Sequence, residues 1–239
     1  MRIEDSNALV TGGNRGLGRH LAVELISRGA NVWVGARRPD TVDVPGARTV
    51  PLDITDPVSV ARAAELIGDT NLLINNAGIS TGANLLSGGV DDIRLEFETH
   101  VFGTLSVVRA FAPRMIASGG GTILNILSVL SWISFPGAGA YSAAKSAQWS
   151  MTNALRSELA DHDVRVVGLH VGYMDTDMTA SIDAVKSDPR DIARIAVDGI
   201  ESDAYEILAD ELSRHVQLGL AAGVAGLYPQ LAGVGTRPQ

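Results

Sequence analysis

The sequence of 239 residues has no cysteine and no linker rich in proline, glycine or serine that would divide it. Without cysteine the chain can form neither disulfides nor thiolate metal sites, and it suits a reducing compartment, so we expect a cytoplasmic protein. Without a linker we expect one domain spanning residues 1–239, because single α/β domains often reach this length.

The chain also lacks an excess of positive charge. It has 19 Lys and Arg residues and 27 Asp and Glu residues, which gives a net charge of −8. An acidic surface repels a phosphate backbone, so no nucleic-acid partner is expected. The first residues show no signal-peptide pattern, because an apolar strand begins almost at once. Hydrophobic residues make up 46% of the chain, which excludes a mainly disordered protein.

Residues 216–236 lack charge altogether and are long enough to span a bilayer. The segment nevertheless contains five glycines, one proline and two glutamines, which disfavour a spanning helix. We therefore expect no membrane insertion. We predict a final helix and then a tail, from about residue 223 to residue 239, that is flexible or packed on the surface.

Apolar runs alternate with amphipathic stretches along the chain. This alternation predicts parallel strands joined by right-handed crossovers, and the fully apolar strands predict a sheet covered on both faces. The expected fold is α/β: a doubly wound parallel sheet in a three-layer α/β/α domain, with the ligand beyond the carboxyl ends of the strands. Strands are predicted at residues 8–10, 31–35, 48–52, 71–75, 121–127, 164–171 and 205–208, and helices at 17–28, 57–67, 140–160 and from 189.

A glycine-rich loop directly follows the first predicted strand and precedes a helix. Glycines permit a tight turn close to a pyrophosphate, and the helix N-terminus offers free N–H groups and the positive end of a dipole. The spacing is Gly-x-x-x-Gly-x-Gly rather than the Gly-x-Gly-x-x-Gly dinucleotide fingerprint, yet the strand–loop–helix context predicts nucleotide binding. The predicted contacts are Gly12, Asn14, Arg15, Gly16, Leu17 and Gly18.

No acidic residue follows the second strand, where NAD sites usually place the carboxylate that bonds the ribose 2′-hydroxyl. Arg37 and Arg38 stand there instead, and Arg15 lies inside the glycine loop. Guanidinium groups suit a 2′-phosphate through bidentate, charge-assisted hydrogen bonds. We therefore predict NADP(H) as the cofactor; the alternative is three solvated surface arginines.

Tyr141 and Lys145 lie four residues apart in a predicted helix, which places both side chains on one face. A nearby positive charge favours the phenolate of tyrosine, so the pair can handle a proton near neutral pH. Spacing alone also fits a chance pair on a surface helix.

Together these motifs resemble the short-chain dehydrogenase/reductase family, in its compact, NADP-preferring branch. The resemblance covers residues 8–212 and includes Asn75-Asn76-Ala77-Gly78 after the fourth strand and Ser128 after the fifth. It implies a Rossmann-like fold and hydride transfer between a nicotinamide and an alcohol or carbonyl carbon. It further implies cofactor contacts by Asp53, Ile54, Asn76, Ala77, Gly78, Tyr141, Lys145, Gly172 and Thr176.

The same resemblance implies three catalytic roles. Tyr141 is the expected acid/base, Lys145 lowers the pKa of the phenol and bonds the nicotinamide ribose, and Ser128 donates to the substrate oxygen. His100 stands where the family usually has an asparagine of the proton relay. Histidine donates, accepts and titrates at about pH 6.5, so His100 either serves the relay, preserved or altered, or only packs.

The expected substrate pocket follows Ser128 and Gly172 and is mostly apolar, with no Lys or Arg. It favours a hydrophobic, uncharged ketone or secondary alcohol, although any one of these residues is as easily a core residue. No spaced set of histidines predicts a metal site. The family implies a homodimer or homotetramer. The predicted pocket residues are Leu130, Trp132, Phe135, Tyr173, Met174 and Met178.

Two other functions remain open at this point. A non-catalytic NADP(H)-binding sensor on the same fold typically lacks the tyrosine or the lysine, and this chain keeps both together with Ser128. An epimerase or dehydratase usually has a different glycine spacing and a longer substrate region. The leading hypothesis is an NADP(H)-dependent oxidoreductase.

Overall fold

A single seven-stranded sheet forms the centre of the computed structural model, which describes residues 1–231. All neighbouring strands are parallel, in the order β3-β2-β1-β4-β5-β6-β7. The predicted doubly wound parallel sheet is confirmed. The strands are β1 (Asn7–Thr11), β2 (Asn31–Ala36), β3 (Arg48–Pro51), β4 (Leu72–Asn75), β5 (Gly121–Ile126), β6 (Val164–His170) and β7 (Glu206–Leu208).

Helices cover both faces of this sheet. Val10 of β1 belongs to the apolar cluster on one face, and its neighbour Leu9 belongs to the cluster on the other, because successive side chains of a strand point to opposite sides. The α-helices are α1 (Gly16–Ser27), α2 (Pro57–Ile67), α3 (Val90–Phe97), α4 (Thr104–Ala117), α5 (Gly139–Leu159), α6 (Pro189–Glu201), α7 (Glu211–Gly219) and α8 (Gly223–Leu227).

Two Asp-Pro pairs start helices where the sequence predicts it. The side chain of Asp56 accepts a hydrogen bond from the N–H of Val58, and that of Asp188 accepts one from Arg190. Each following proline occupies the first helical position, where a missing N–H costs nothing and the fixed φ suits the helix. The starts of α2 and α6 are therefore set locally.

The winding of the sheet reverses between β1 and β4. β1 pairs with β2 on one side and with β4 on the other, while the later strands extend the sheet beyond β4. At such a reversal the loops after neighbouring strands diverge and leave a crevice at the carboxyl edge. The glycine loop (residues 11–18) and residues 75–78 follow these two strands, so the topology places both at the crevice.

The C-terminal helices pack against the loop that follows β5. The hydroxyl of Tyr228 accepts a hydrogen bond from the backbone N–H of Ser134 at 2.8 Å. Leu227 and Tyr228 contact the apolar cluster of Val129, Leu130, Ile133 and Val216. Residues 232–239 of the predicted tail lie outside the described residues. Within residues 1–231, no helix combines the length and apolarity that a membrane crossing needs.

Candidate active site

The glycine loop is held against residues 75–78 by a set of short hydrogen bonds. The side-chain amide of Asn76 donates to the carbonyl oxygens of Thr11 at 2.9 Å and Gly12 at 3.1 Å. The buried hydroxyl of Thr11 accepts from the N–H groups of Asn76 and Ala77, both at 3.0 Å. Two segments far apart in the sequence therefore form one rigid floor at the crevice.

Two glycines of this loop have conformations or contacts that a side chain would not tolerate. Gly12 has a φ of +65° and donates to the carbonyl of Gly35 at 2.8 Å. A Cβ on Gly18 would overlap the amide nitrogen of Asn76 and lie 2.5 Å from the carbonyl oxygen of Gly12. The loop therefore leaves bare backbone and the N-terminus of α1 facing the crevice, which is the arrangement that binds phosphate groups.

Three basic side chains surround the glycine loop. Arg37 and Arg38 are exposed and directly follow β2. Arg15 lies 3.2 Å from the carboxylate of Asp177. Both members of this pair are more than 70% exposed, and such pairs contribute little to stability. Arg15 can therefore exchange Asp177 for another anionic group at a low cost in free energy. The exposed guanidinium groups of Arg37 and Arg38 are also accessible to an anionic group.

The remaining predicted cofactor residues line the same edge. The methyl group of Thr176 would lie 3.5 Å from a Cβ on Gly16, so the segment after β6 reaches the glycine loop. Asp53 accepts hydrogen bonds from the N–H and hydroxyl of Thr55, and Ile54 is buried. The N–H of Gly172 donates to the carboxylate of Asp210 at 2.6 Å.

Ser128, Tyr141 and Lys145 meet beyond the end of β5. The ammonium of Lys145 lies 5.7 Å from the centroid of the Tyr141 ring and donates to the carbonyl of Ile126 and to Oε1 of Gln148, both at 2.8 Å. Ser128 lies close enough to Tyr141 to lower the pKa of its phenol, and the hydroxyl oxygen of Ser128 accepts from the N–H of Leu130 at 3.1 Å. The three predicted catalytic residues therefore form one cluster, in which Ser128 and Lys145 are buried and Tyr141 is partly buried.

Burial dominates the protonation of this cluster. It raises the pKa of Tyr141, and the negative charge of Glu96 acts in the same direction, while the nearby hydroxyl of Ser128 opposes them. Burial lowers the pKa of Lys145 to about 7. The charge of Lys145, an amine that is itself only partly protonated at neutral pH, does not offset this desolvation. Its role in lowering the phenol pKa stays a prediction.

His100 lies at the centre of a π-helical turn, Glu98–Gly103, between α3 and α4. Such turns are uncommon and often mark functional sites. Its imidazole is 1% exposed and meets the ring of Tyr141 edge-on, with 5.3 Å between the ring centroids. The structure therefore places His100 beside Tyr141.

The predicted pocket residues divide into two groups. Leu130 is 6% exposed and packs inside the apolar cluster beside Tyr141. Trp132 stacks on the ring of His170, with 3.7 Å between centroids. Leu130 and Trp132 are thus packing residues and do not line an open substrate pocket, because neighbouring side chains cover their apolar surfaces. Phe135 and Met178 are 42% and 49% exposed and remain free to meet a ligand; Tyr173 and Met174 are partly buried.

Two polar residues of this region are missed by the sequence reasoning. Glu96 is fully buried next to His100, and Gln148 links Lys145 to the hydroxyl of Thr104. Both lie one helical turn from a residue that the motifs identify. In the sequence, the signal that would have identified them is a polar residue at position i−4 or i+3 from a candidate catalytic residue.

Residues 6–187 match the family model of the short chain dehydrogenases. This chain belongs to the short-chain dehydrogenase family. A short-chain dehydrogenase from Burkholderia cenocepacia, solved in complex with NADP, is 38% identical, with a TM-score of 0.92 over 97% of this chain and 99% of the other. One from Streptomyces avermitilis is 25% identical, with a TM-score of 0.85 over 98% and 99%.

Among curated relatives, dehydrogenase/reductase SDR family member 7B of Bos taurus is 31% identical over 205 residues. The match covers 78% of this chain but 62% of that relative, so this short-chain dehydrogenase spans less than two thirds of its length. The family predicted from the motifs is confirmed.

The buried amine of this short-chain dehydrogenase gives a prediction about stability. The pKa of Lys145 is about 7 in the folded protein, against 10.5 for a solvated lysine such as that of the unfolded chain. Below pH 7 the amine is charged in both states, and the folded state bears the full cost of burying it. Between about pH 7 and 10.5 only the unfolded state is protonated, so rising pH favours folding. The free energy of unfolding of Lys145→Met should therefore exceed that of the wild type. This excess should be larger at about pH 6 than at about pH 9.

Urea denaturation of both proteins at the two pH values checks this, since the difference between them cancels the titrating groups that do not interact with Lys145. A margin that does not change with pH would contradict the burial of a charged amine.

Proposed function

We propose that this short-chain dehydrogenase is an NADP(H)-dependent oxidoreductase that acts on hydrophobic, uncharged ketones or secondary alcohols. The proposal is carried by one observation: Ser128, Tyr141 and Lys145 converge at the carboxyl edge of the sheet, next to the glycine loop. Hydride-transfer enzymes need a bound nicotinamide and a positioned proton donor within reach of one carbon–oxygen bond. At this edge the glycine loop could bind the nicotinamide cofactor, and the phenol of Tyr141 could donate the proton.

The glycine loop fits a dinucleotide. It has no room for a Cβ at Gly18 and presents the N-terminus of α1, and the similar protein from Burkholderia cenocepacia contains NADP. Arg37 and Arg38 would hold the 2′-phosphate, and Lys145 would bond the nicotinamide ribose. The bound cofactor would supply or accept the hydride.

The protein's own residues then handle the proton. A raised pKa keeps the phenol of Tyr141 protonated at neutral pH, which is the form that can give a proton to a carbonyl oxygen. Ser128 would donate to the same oxygen as negative charge develops there. This protonation state favours reduction of a carbonyl compound under assay conditions near neutrality.

Apolar side chains support a hydrophobic substrate. Phe135 and Met178 are about half exposed after β5 and β6. Leu85, which is 59% exposed, contacts the start of α5, where the N–H of Ala140 donates to the carbonyl of Ala83 at 3.1 Å. These residues would line the approach to Tyr141 and offer no cationic group to a carboxylate or phosphate ester.

NADPH oxidation with a panel of hydrophobic ketones tests the proposal. We expect turnover of several ketones and none of matched keto acids. Tight NADPH binding without turnover across the whole panel would instead support a cofactor sensor.

Arg37→Asp tests the cofactor. Each charge-assisted hydrogen bond to a 2′-phosphate contributes about 1.5–3 kcal/mol, so losing Arg37 should lower kcat/KM for NADPH by about tenfold or more, while the new carboxylate improves use of NADH. Steady-state kinetics with both cofactors measure the ratio. Arg62→Asp, on the exposed surface of α2, is the matched control and should leave the ratio unchanged. Unaltered NADPH preference in Arg37→Asp would refute this assignment.

A further inference from the structure

Glu96 is a carboxylate buried in the wall of the active site. Its side chain is completely inaccessible to solvent, and a buried carboxylate is costly unless it is paired or hydrogen-bonded. Its Oε1 accepts two hydrogen bonds from Thr81, from the N–H at 2.6 Å and from the hydroxyl at 2.9 Å. Its Oε2 lies 3.2 Å from Nε2 of His100. Oε1 is therefore satisfied by Thr81, whereas Oε2 has no hydrogen-bond partner among residues 1–231 and lies beside the imidazole, whose Nε2 is bonded to Ile79.

The surroundings of His100 determine which ring nitrogen carries the proton. Nε2 lies 2.9 Å from the carbonyl oxygen of Ile79 and 3.2 Å from the carboxylate of Glu96. Both neighbours only accept hydrogen bonds, so Nε2 must donate. In the neutral ring Nδ1 then carries a lone pair.

That lone pair lies beside Gly78, at the edge of the site. Nδ1 is buried and has no hydrogen-bond partner among residues 1–231. A Cβ on Gly78 would lie 2.8 Å from Cε1 and 3.5 Å from Nδ1, so this edge of the ring borders one of the predicted cofactor contacts. A buried acceptor without a partner requires an explanation, and a hydroxyl or water brought by the reaction would satisfy it.

We propose that Glu96 is a positioning residue of the active site, which together with the carbonyl of Ile79 fixes His100 with its proton on Nε2 and its Nδ1 lone pair turned toward the proton path of Tyr141 and Lys145. This inference rests on the proposed function. It gives His100 the role of an oriented acceptor, in the same way that a carboxylate fixes the tautomer of a catalytic or metal-bound imidazole.

The electrostatics agree with this geometry. The titratable groups that face His100 are Glu96, Tyr141 and Lys145. Burial and the charge of Lys145 lower the pKa of His100, whereas Glu96 raises it. The carboxylate likewise raises the pKa of Lys145, so it is the negative charge that acts on both the imidazole and the amine.

Glu96→Gln is a sharp test because Thr81 dictates how the amide sits. The N–H of Thr81 must donate to an oxygen, so the amide oxygen replaces Oε1 and the NH₂ group replaces Oε2 against Nε2 of His100. The NH₂ group then offers Nε2 a donor that competes with the acceptor oxygen of Ile79, so the Nε2–H tautomer is less favoured than in the wild type. We expect kcat/KM to fall by about 10–100-fold, as for other groups that orient a working imidazole, and the acidic limb of its pH profile to move to lower pH. NADPH affinity should not change.

A double-mutant cycle separates positioning from general damage. If Glu96 acts through His100, Glu96→Gln has little further effect on kcat/KM in a His100→Asn background. Glu98→Gln removes an exposed carboxylate two residues away and should behave as the wild type. Additive effects of the two substitutions, or an unchanged pH profile in Glu96→Gln, would overturn the proposal.

Nitrogen-15 NMR of the histidines gives a readout independent of activity. The chain has five histidines, and the His100→Asn spectrum identifies the missing signals. We expect His100 as the Nε2–H tautomer in the wild type, and a changed tautomer in Glu96→Gln. An Nδ1–H tautomer in the wild type would overturn the proposal even if Glu96→Gln fails to fold. If no carbonyl compound is turned over, the proposed function fails while this spectrum still decides the role of Glu96.

Discussion

Tyr141→Phe should reduce kcat for carbonyl reduction by about 10²–10⁴-fold, the usual contribution of general acid catalysis. The substitution removes only the hydroxyl, which lies close to Ser128. The ring and its edge-on contact with His100 remain. Cofactor affinity depends mainly on the glycine loop and the arginines, so NADPH should bind as tightly as in the wild type.

Single-turnover NADPH oxidation and fluorescence titration with NADPH separate these two effects. Tyr205→Phe is the matched control, because Tyr205 is 61% exposed and precedes β7, away from the cluster around Ser128. Its activity should equal that of the wild type. Substantial remaining turnover in Tyr141→Phe would show that another group gives the proton.

Gly18→Ala should weaken NADPH binding by at least about tenfold and destabilise the fold. The new methyl group would overlap the amide of Asn76 and lie 2.5 Å from the carbonyl oxygen of Gly12. One neighbour is backbone, so the loop itself must shift, and the hydrogen bonds from Asn76 to Thr11 and Gly12 are strained or lost. Overpacking of this kind costs about 1–3 kcal/mol, and each lost hydrogen bond adds about 0.5–1.5 kcal/mol.

The dissociation constant for NADPH and the thermal midpoint of the protein measure both consequences. Gly219→Ala is a fair comparison, because Gly219 has helical dihedral angles and its added Cβ meets only the end of the Leu227 side chain, at 3.4 Å. That variant should bind NADPH normally. Wild-type affinity and stability in Gly18→Ala would mean that the loop is not packed as tightly against Asn76 as we infer.

Much of the site was predictable because its signals are local. A strand followed by a glycine loop and a helix sets the phosphate cradle within residues 7–27, and the starts of α2 and α6 follow from single Asp-Pro pairs. The spacing of Tyr141 and Lys145 fixes their common face through the helical period. None of these features depends on distant parts of the chain.

Other features depended on contacts between distant segments. A bulky apolar residue such as Trp132 could line a substrate pocket or pack in the core. Only its stacking on His170 of β6 shows that it is a packing residue. In the sequence, Glu96 cannot be distinguished from a surface carboxylate. In the structure it is buried between Thr81 and His100. Burial, which the sequence does not report, raises the pKa of Tyr141.

The sequence by itself determined the parallel α/β architecture, the glycine loop and the residues of the proton-handling pair, because periodicity, turn chemistry and helical spacing act over a few residues. The tertiary structure decided how those groups are charged and oriented. A pKa and a tautomer depend on the desolvation and hydrogen-bond partners that folding brings from elsewhere in the chain.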